Sequence, residues 1–420
     1  MPYANLAGRR LRVLAAALAA SLIALPALAQ GAGPRLSAPV AAAPVAGGDE
    51  MRDFLSSAQP MVSVIDPPGG PVRAARFAGA ATVPEPGPAA ISPGQPGRPV
   101  RSMVDEAEYR ALAIGGSATA SSPSIGAENH GIGLEDTPYQ YNDYLLVPSP
   151  YYAPYRSVGR LIFRASDGLT YWCTAALINR AILVTAGHCV FDGGANDDSG
   201  FNQAGYFYPG YSDADGADQR FGRCRVLRWG TTSDWYATGD LNGGYDVGVA
   251  LCDVIEDARW TYVNGWLPGD RLGYLGFCYE NCRRSYRFLT QLGYPGNYYG
   301  GGEMTVSQHL EISRQAIPNI PSEIGLDFIF GSGMQGGSSG GPHIANIGDL
   351  DDSSSALGED TERNVIYAVT SWGFTLPQFK IQGASPLSGV DNANDFASLY
   401  NAMCRASRRL HGRASCRSLP

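Results

Sequence analysis

Charge is scarce in this chain, and long apolar runs are scarcer. Asp, Glu, Lys and Arg make up 17% of the 420 residues, with 31 basic against 39 acidic side chains and a formal net charge of -8. A mildly acidic surface carries no basic field of the kind that holds a phosphate backbone, which sets nucleic acid aside as a partner. Beyond residue 29 no segment is apolar enough for the roughly 20 residues that a membrane-crossing helix requires. None of the acidic loops, at Asp192 to Ser199, Asp213 to Asp218 and Asp349 to Glu362, fits the EF-hand pattern. Cys278 and Cys282 could form half of a metal site, but no second Cys or His cluster stands near them in sequence to complete a tetrahedron. No metal and no cofactor is expected, and no internal repeat is visible.

What is present divides the chain in three. Arg9, Arg10 and Arg12 precede an apolar run from Val13 that ends in Ala27-Leu28-Ala29, the pattern of an export signal cleaved after Ala29. The run is broken by Pro26 and is too short for a permanent anchor, so the product is expected to be soluble and secreted or periplasmic. Residues 30–138 are rich in Ala, Pro and Gly, as in Thr82-Val83-Pro84-Glu85-Pro86-Gly87-Pro88. Such a segment buries too little apolar surface to offset its ordering entropy, and reads as a mostly disordered propeptide or linker. Its one helical candidate is Val104 to Ala113.

From residue 139 to 420 the texture changes to short apolar or alternating runs between Gly, Pro, Asn and Asp, an all-β pattern. Examples are Ser157 to Phe163, Ala181 to Thr185, Cys224 to Leu227 and Val365 to Val369, enough for two barrels or a large sandwich. Near the end, Phe396, Leu399, Tyr400 and Met403 recur at helical spacing and predict a closing amphipathic helix over about 392–409. Eight cysteines in an exported chain imply a disulfide framework. Their order suggests local pairs: Cys173 with Cys189, Cys224 with Cys252, Cys278 with Cys282, and Cys404 with Cys416.

Three segments hold the parts that acyl transfer from an amide needs, namely a nucleophile, a base, a group that orients the base, and oxyanion donors. Leu183-Val184-Thr185-Ala186-Gly187-His188-Cys189 is a strand running into a small-residue turn that presents a histidine. A Cys173–Cys189 bridge would staple that turn to the preceding strand. Tyr245-Asp246-Val247-Gly248-Val249-Ala250-Leu251 sets one carboxylate at the head of an apolar strand, a position that a lone charge disfavours and a histidine partner explains. Gly336-Gly337-Ser338-Ser339-Gly340-Gly341-Pro342 surrounds Ser339 with glycines that let N–H groups converge on one point.

In that order the three segments resemble the chymotrypsin-like serine peptidases. Thr370-Ser371-Trp372-Gly373 is similar to the family segment that lines the primary specificity pocket and pairs with substrate backbone. Gly293-Tyr294-Pro295-Gly296 and the stretch from Tyr155 to Val190 look closer to the bacterial glutamyl endopeptidase branch. The resemblance implies two Greek-key β-barrels, over about 150–257 and 265–391, followed by the C-terminal helix. It further implies His188, Asp246 and Ser339 as catalytic triad, the N–H groups of Gly337 and Ser339 as oxyanion hole, and Gly333, Met334, Thr370, Ser371, Trp372 and Gly373 as substrate-binding positions. The partner would be a peptide or protein substrate. A non-catalytic exported binding protein, or an esterase or narrow-specificity toxin on the same scaffold, are the alternatives.

Two departures stand out. Trypsin-type zymogens carry an aspartate just before the nucleophile, which pairs with the freed N-terminal amine; here that residue is Ser338, so the oxyanion loop must be ordered another way. The position resembling the pocket floor is Gly333, which offers no carboxylate for an Arg or Lys substrate. The pocket positions resembling those that recognise glutamate are Thr370 and Met334, with His309 or His343 as possible substitutes. An apolar or small residue before the cut is the expectation.

Overall fold

A computed structural model describes residues 33–40, 49–65, 90–95, 145–146, 150–216, 219–241, 244–257, 265–282, 288–310, 328–348, 363–374, 380–388 and 395–420. The expected export signal and the helical candidate at Val104 to Ala113 lie outside them. The chain first makes five short strands and a helix: β1 (Arg35–Leu36), α1 (Asp49–Ser56), β2 (Gln59–Pro60), β3 (Val64–Ile65), β4 (Ala90–Ser92) and β5 (Leu145–Leu146). None of these short strands carries a periodic signal in the sequence.

The next six strands are β6 (Val158–Arg164), β7 (Thr170–Leu177), β8 (Ile182–Thr185), β9 (Ala204–Pro209), β10 (Arg223–Thr231) and β11 (Gly248–Glu256), with a short helix α2 (Ser233–Thr238) between the last two. They pair in the order β10-β11-β8-β7-β6-β9, and β9 pairs back onto β10, so the sheet closes into a six-stranded barrel. Closure removes free edges and traps a core of Leu161, Phe163, Leu183, Phe207, Val226 and Trp229. The Phe163 and Trp229 rings meet edge to face with centroids 6.3 Å apart.

The second half runs α3 (Pro268–Leu272), β12 (Gly276–Glu280), β13 (Phe288–Gly293), β14 (Thr305–Leu310), β15 (Phe328–Gly331), β16 (Pro342–Ala345), β17 (Val365–Phe374), β18 (Ile381–Pro386) and the closing helix α4 (Phe396–His411). Its main path is β15-β18-β17-β16-β13-β14-β5. Among the described residues β14 and β15 do not pair as strands. Instead, the His309 ring of β14 stacks on Phe330 of β15 at 4.2 Å, so ring contact spans the place where ladder bonds would close the sheet.

Short N-terminal strands pair with strand stretches that lie beyond the main ladders: β1 on β10, β2 on β7, β3 on β17 and β4 on β12. Helix α1 buries Met51 and Phe54 against Ile162, Trp172, Tyr206 and Tyr208 on the outside of the barrel. All four disulfides formed between neighbours in the cysteine order are present. Helix α4 turns Phe396, Leu399, Tyr400 and Met403 inward, and Phe277 of β12 packs between Phe396 and Tyr400 at 5.7 and 5.0 Å. Replacing this fully buried ring leaves a cavity that flanking strands cannot collapse into. Phe277→Ala should therefore destabilise the fold by about 3–5 kcal/mol, measured by denaturant unfolding.

Candidate active site

The histidine-bearing turn is set by β8. After Thr185 the chain enters a single tight turn, Gly187–Cys189, pinned from below by the Cys173–Cys189 bridge to β7. Trp235 of α2 closes over it, donating from Nε1 to the Phe191 carbonyl at 3.1 Å, with its ring 6.3 Å from that of His188. Asp246 precedes β11, where Thr232 Oγ1 donates to the Tyr245 carbonyl (2.6 Å) and Thr231 Oγ1 to the Val247 carbonyl (3.1 Å). The Asp246 side chain is wholly buried. Its Oδ1 accepts the His188 backbone N–H at 2.7 Å, and its Oδ2 lies 2.8 Å from His188 Nδ1. That geometry assigns the proton to Nδ1 and leaves Nε2 as the free lone pair. Nε2 is buried and has no hydrogen-bond partner.

Oδ2 of Asp246 also accepts from Ser371 Oγ of β17 at 2.5 Å, so one carboxylate joins the barrel to the second sheet. Beside Ser371, the Thr370 carbonyl accepts the Gly340 N–H (2.7 Å), while the Ser339 carbonyl accepts the Thr174 N–H of β7 (2.8 Å). The serine is thereby clamped between the two sheets. Glycine is required on both sides of it. Gly340 has φ +77°, and a Cβ there would stand 2.0 Å from Thr185 Oγ1 and 2.3 Å from the Thr174 carbonyl. Gly337 has φ +92°, and its Cβ would fall 2.4 Å from Trp172 Nε1. No hydrogen bond joins Ser339 Oγ to His188 Nε2; in unliganded sites such bonds are often long and tighten only with substrate.

The loop before Ser339 is ordered without an aspartate. Ser338 Oγ donates to the Gln335 carbonyl at 2.7 Å, and Thr174 Oγ1 to the Gly337 carbonyl at 2.9 Å. Asn297, which sequence analysis passed over, bonds the loop twice, from Nδ2 to the Gly333 carbonyl and through Oδ1 from the Gln335 N–H, both at 3.0 Å. The Gly337 N–H donates to the Met61 carbonyl at 2.9 Å.

A cavity of about 200 Å³ opens beside Ser339, and Gly333, Met334, Thr370, Ser371, Trp372 and Gly373 all line it. Ser332, Lys380 and Gln382 share the lining and carried no local signal in sequence. The polar groups at its base bond to each other. Thr370 Oγ1 donates to the Gly341 carbonyl (3.2 Å) and accepts from Gln291 Nε2 (2.9 Å). Ser332 Oγ donates to Gln291 Oε1 (2.8 Å), and Gln382 Nε2 to the Met334 carbonyl (2.8 Å). His343 and His309 do not line the cavity. They stand behind Thr370, His343 Nε2 3.0 Å from its hydroxyl and His343 Nδ1 2.8 Å from His309 Nε2. Since Thr370 already donates to Gly341, a consistent network protonates both histidines at Nε2 and keeps both neutral.

Burial pushes His309 down to about 3, and burial together with the neighbouring His309 holds His343 well below the ordinary histidine range. Both groups titrate near 6.5 when unfolded, so the unfolded chain binds more protons in between. The contribution of this pair to stability is complete above about 6.5 and is lost as pH falls toward 3.

The sequence matches no protein-family model and no curated protein. In structure the chain is similar to trypsin-fold serine proteases. Protease Anisep from Arthrobacter nicotinovorans is 20% identical over 57% of this chain and 92% of its own, with a TM-score of 0.44. A Glu endopeptidase solved in complex with MPD is 17% identical over 65% of this chain and 99% of its own, with a TM-score of 0.43. The thermostable serine protease AL20 from an extremophilic microorganism is 18% identical over 55% and 91%, with a TM-score of 0.42.

Two outcomes test this site. Thermal midpoints should fall steadily from pH 7 to pH 4, and His343→Gln should flatten that fall even where it lowers stability at pH 7. Gly340→Ala should lower the midpoint far more than Gly373→Ala, because a Cβ at Gly373 meets nothing nearer than 3.9 Å.

Proposed function

We propose that this chain is an exported serine endopeptidase that hydrolyses peptide bonds through His188, Asp246 and Ser339. One observation carries the reading. A fully buried carboxylate fixes the tautomer of a histidine whose outward nitrogen is left without a partner, on a turn packed against the loop that presents a glycine-flanked serine. A base awaiting a proton needs a free lone pair, and His188 offers it on a ring whose other nitrogen is held by a buried carboxylate, whereas His309, whose Nδ1 is also without a partner, is bonded to a second imidazole.

In this mechanism Ser339 Oγ attacks the substrate carbonyl carbon while its proton passes to His188 Nε2. The carbonyl π electrons move to oxygen, where the N–H groups of Gly337 and Ser339 receive the charge. Collapse breaks the C–N bond, and the imidazolium returns its proton to the departing amine. Water, deprotonated by the same nitrogen, then releases the acyl group from Ser339. Asp246 holds the imidazole orientation and stabilises its charged form without taking the proton.

For the residue before the cut we favour an apolar or small side chain. The hydroxyls of Thr370 and Ser332 are already engaged in bonds within the protein, and among the described residues no carboxylate lines the cavity. Lys380 in the lining favours a second reading, an acidic side chain. The paired cysteines fit an oxidising compartment, in line with the N-terminal export pattern.

A fluorophosphonate probe should attach to Ser339, located by peptide mass, and leave Ser339→Ala unmodified; equal modification of the variant would place the nucleophile elsewhere. Asp246→Asn should lower kcat by about 10⁴-fold with little change in KM, because the wrong tautomer is then held. Digestion of a peptide library separates the two specificity readings, and absence of any peptide cleavage alongside ester hydrolysis would leave only an esterase.

A further inference from the structure

The stretch from Gln59 to Ile65 lies along the candidate active site, touching both sheets. β2 adds to β7 in parallel, and the Met61 N–H continues that ladder to the Trp172 carbonyl at 2.9 Å. The Met61 carbonyl then takes the Gly337 N–H at 2.9 Å, one of the two donors assigned to the oxyanion hole. Two residues on, the Ser63 carbonyl takes the Gly373 N–H at 3.0 Å, and β3 pairs in parallel with β17, Val64 opposite Gly373 and Ile65 opposite Phe374. Val62 and Ser63 line the cavity beside Ser339 and also the larger cleft that His188 faces.

We propose that residues 59–65 are a built-in inhibitor that fills the substrate's backbone positions with reversed chain polarity. This rests on the peptidase reading of the same site. The polarity argument is geometric. The residue whose side chain enters the specificity cavity supplies the carbonyl that is attacked, and the segment that lines this cavity also pairs with substrate backbone. Residues preceding the scissile carbonyl in a productive substrate therefore lie along β17. Here the residues that follow the Met61 carbonyl lie along β17 instead. With a carbonyl in the oxyanion position but the chain running the wrong way, the peptide bond is presented backwards to Ser339, and the cavity receives no preceding side chain. The segment has the hydrogen bonds of an added substrate strand without the geometry for cleavage.

Anchoring comes from outside the site. Helix α1 ends three residues before β2, and Met51 and Phe54 fix it to the barrel wall, with Tyr208 Oη 3.6 Å from Met51 Sδ and the Phe54 and Tyr206 rings 6.0 Å apart. Tethering makes blockade intramolecular, so a few backbone bonds suffice at an effective concentration of order millimolar.

The test uses the full-length chain and two routes to release. Phe54→Asp undocks α1, and Met61→Pro removes the N–H that reaches Trp172; neither touches the triad. Fluorophosphonate labelling of Ser339 and peptide hydrolysis should both accelerate at least tenfold in each variant, with thermal unfolding still cooperative. Adding Ser339→Ala to either should abolish labelling. Equal labelling and hydrolysis rates in wild type and in both folded variants would overturn the inhibitor while leaving the peptidase intact. Recovery of chain cut between Met61 and Val62 by its own site would overturn the reversed polarity. No labelling in any of the proteins would sink the peptidase reading and the inhibitor with it.

Discussion

The buried carboxylate of Asp246 is the contact on which the architecture around the site depends. Removing an ion from water costs several kcal/mol even after relaxation, and only well-placed donors offset that. Asp246 receives three: the backbone N–H of His188, its ring Nδ1, and the hydroxyl of Ser371. Two come from the barrel and one from the second sheet. Separation of the sheets would strip a donor from a dry anion, so the same term that orients the imidazole also holds the seam closed. The orientation of His188 and the interface are one interaction here, and a change at Ser371 acts on His188 through Asp246 without touching it.

What the sequence made legible is local. The turn around His188, the strand behind Asp246 and the glycines beside Ser339 are each encoded within seven residues, because strand, turn and positive-φ demands are written in neighbouring side chains. The same holds for the closing helix, whose four inward residues repeat at helical spacing. Asn297, Gln291, Gln382 and Trp235 gave no such signal. Each acts across 36 residues or more, as Asn297 does on Gly333 and Gln382 on Met334, and an isolated amide in sequence says nothing about its distant partner. The histidine pair is ambiguous in sequence for the same reason. Sequence allows His309 and His343 as substitutes in the pocket; in the structure they face Phe330 and the back of Thr370 as neutral interior rings.

The N-terminal strands escaped notice for a different physical reason. Two-residue segments have no periodicity, and a Pro-rich stretch reads as unable to form a core of its own. These segments need none. Each borrows a strand stretch already built by the two sheets, so its backbone bonds are satisfied by a partner hundreds of residues away in some cases, as Arg35 with Thr231 and Val64 with Gly373. Composition measures what a segment can bury alone, and it is blind to strand partners supplied by the rest of the chain.

Ser338 and the reversed segment belong to one logic. Where an aspartate precedes the nucleophile, a site can be kept inactive by leaving its oxyanion loop unassembled until a new terminus arrives to pair with that carboxylate. Ser338 instead closes its loop onto Gln335, and Asn297 and Thr174 complete the assembly, all within the intact chain. A site that is already assembled cannot be restrained by disorder; it can only be obstructed. Obstruction by a substrate-like strand would be self-defeating if the strand ran in the productive sense, since the enzyme would cut its own restraint. In the proposed inhibitor, parallel pairing on β17 would resolve that conflict, using the recognition bonds of a substrate while withholding its scissile geometry. On the proposed reading, release would come from undocking α1 or from cleavage elsewhere in the N-terminal region, not from turnover at Ser339.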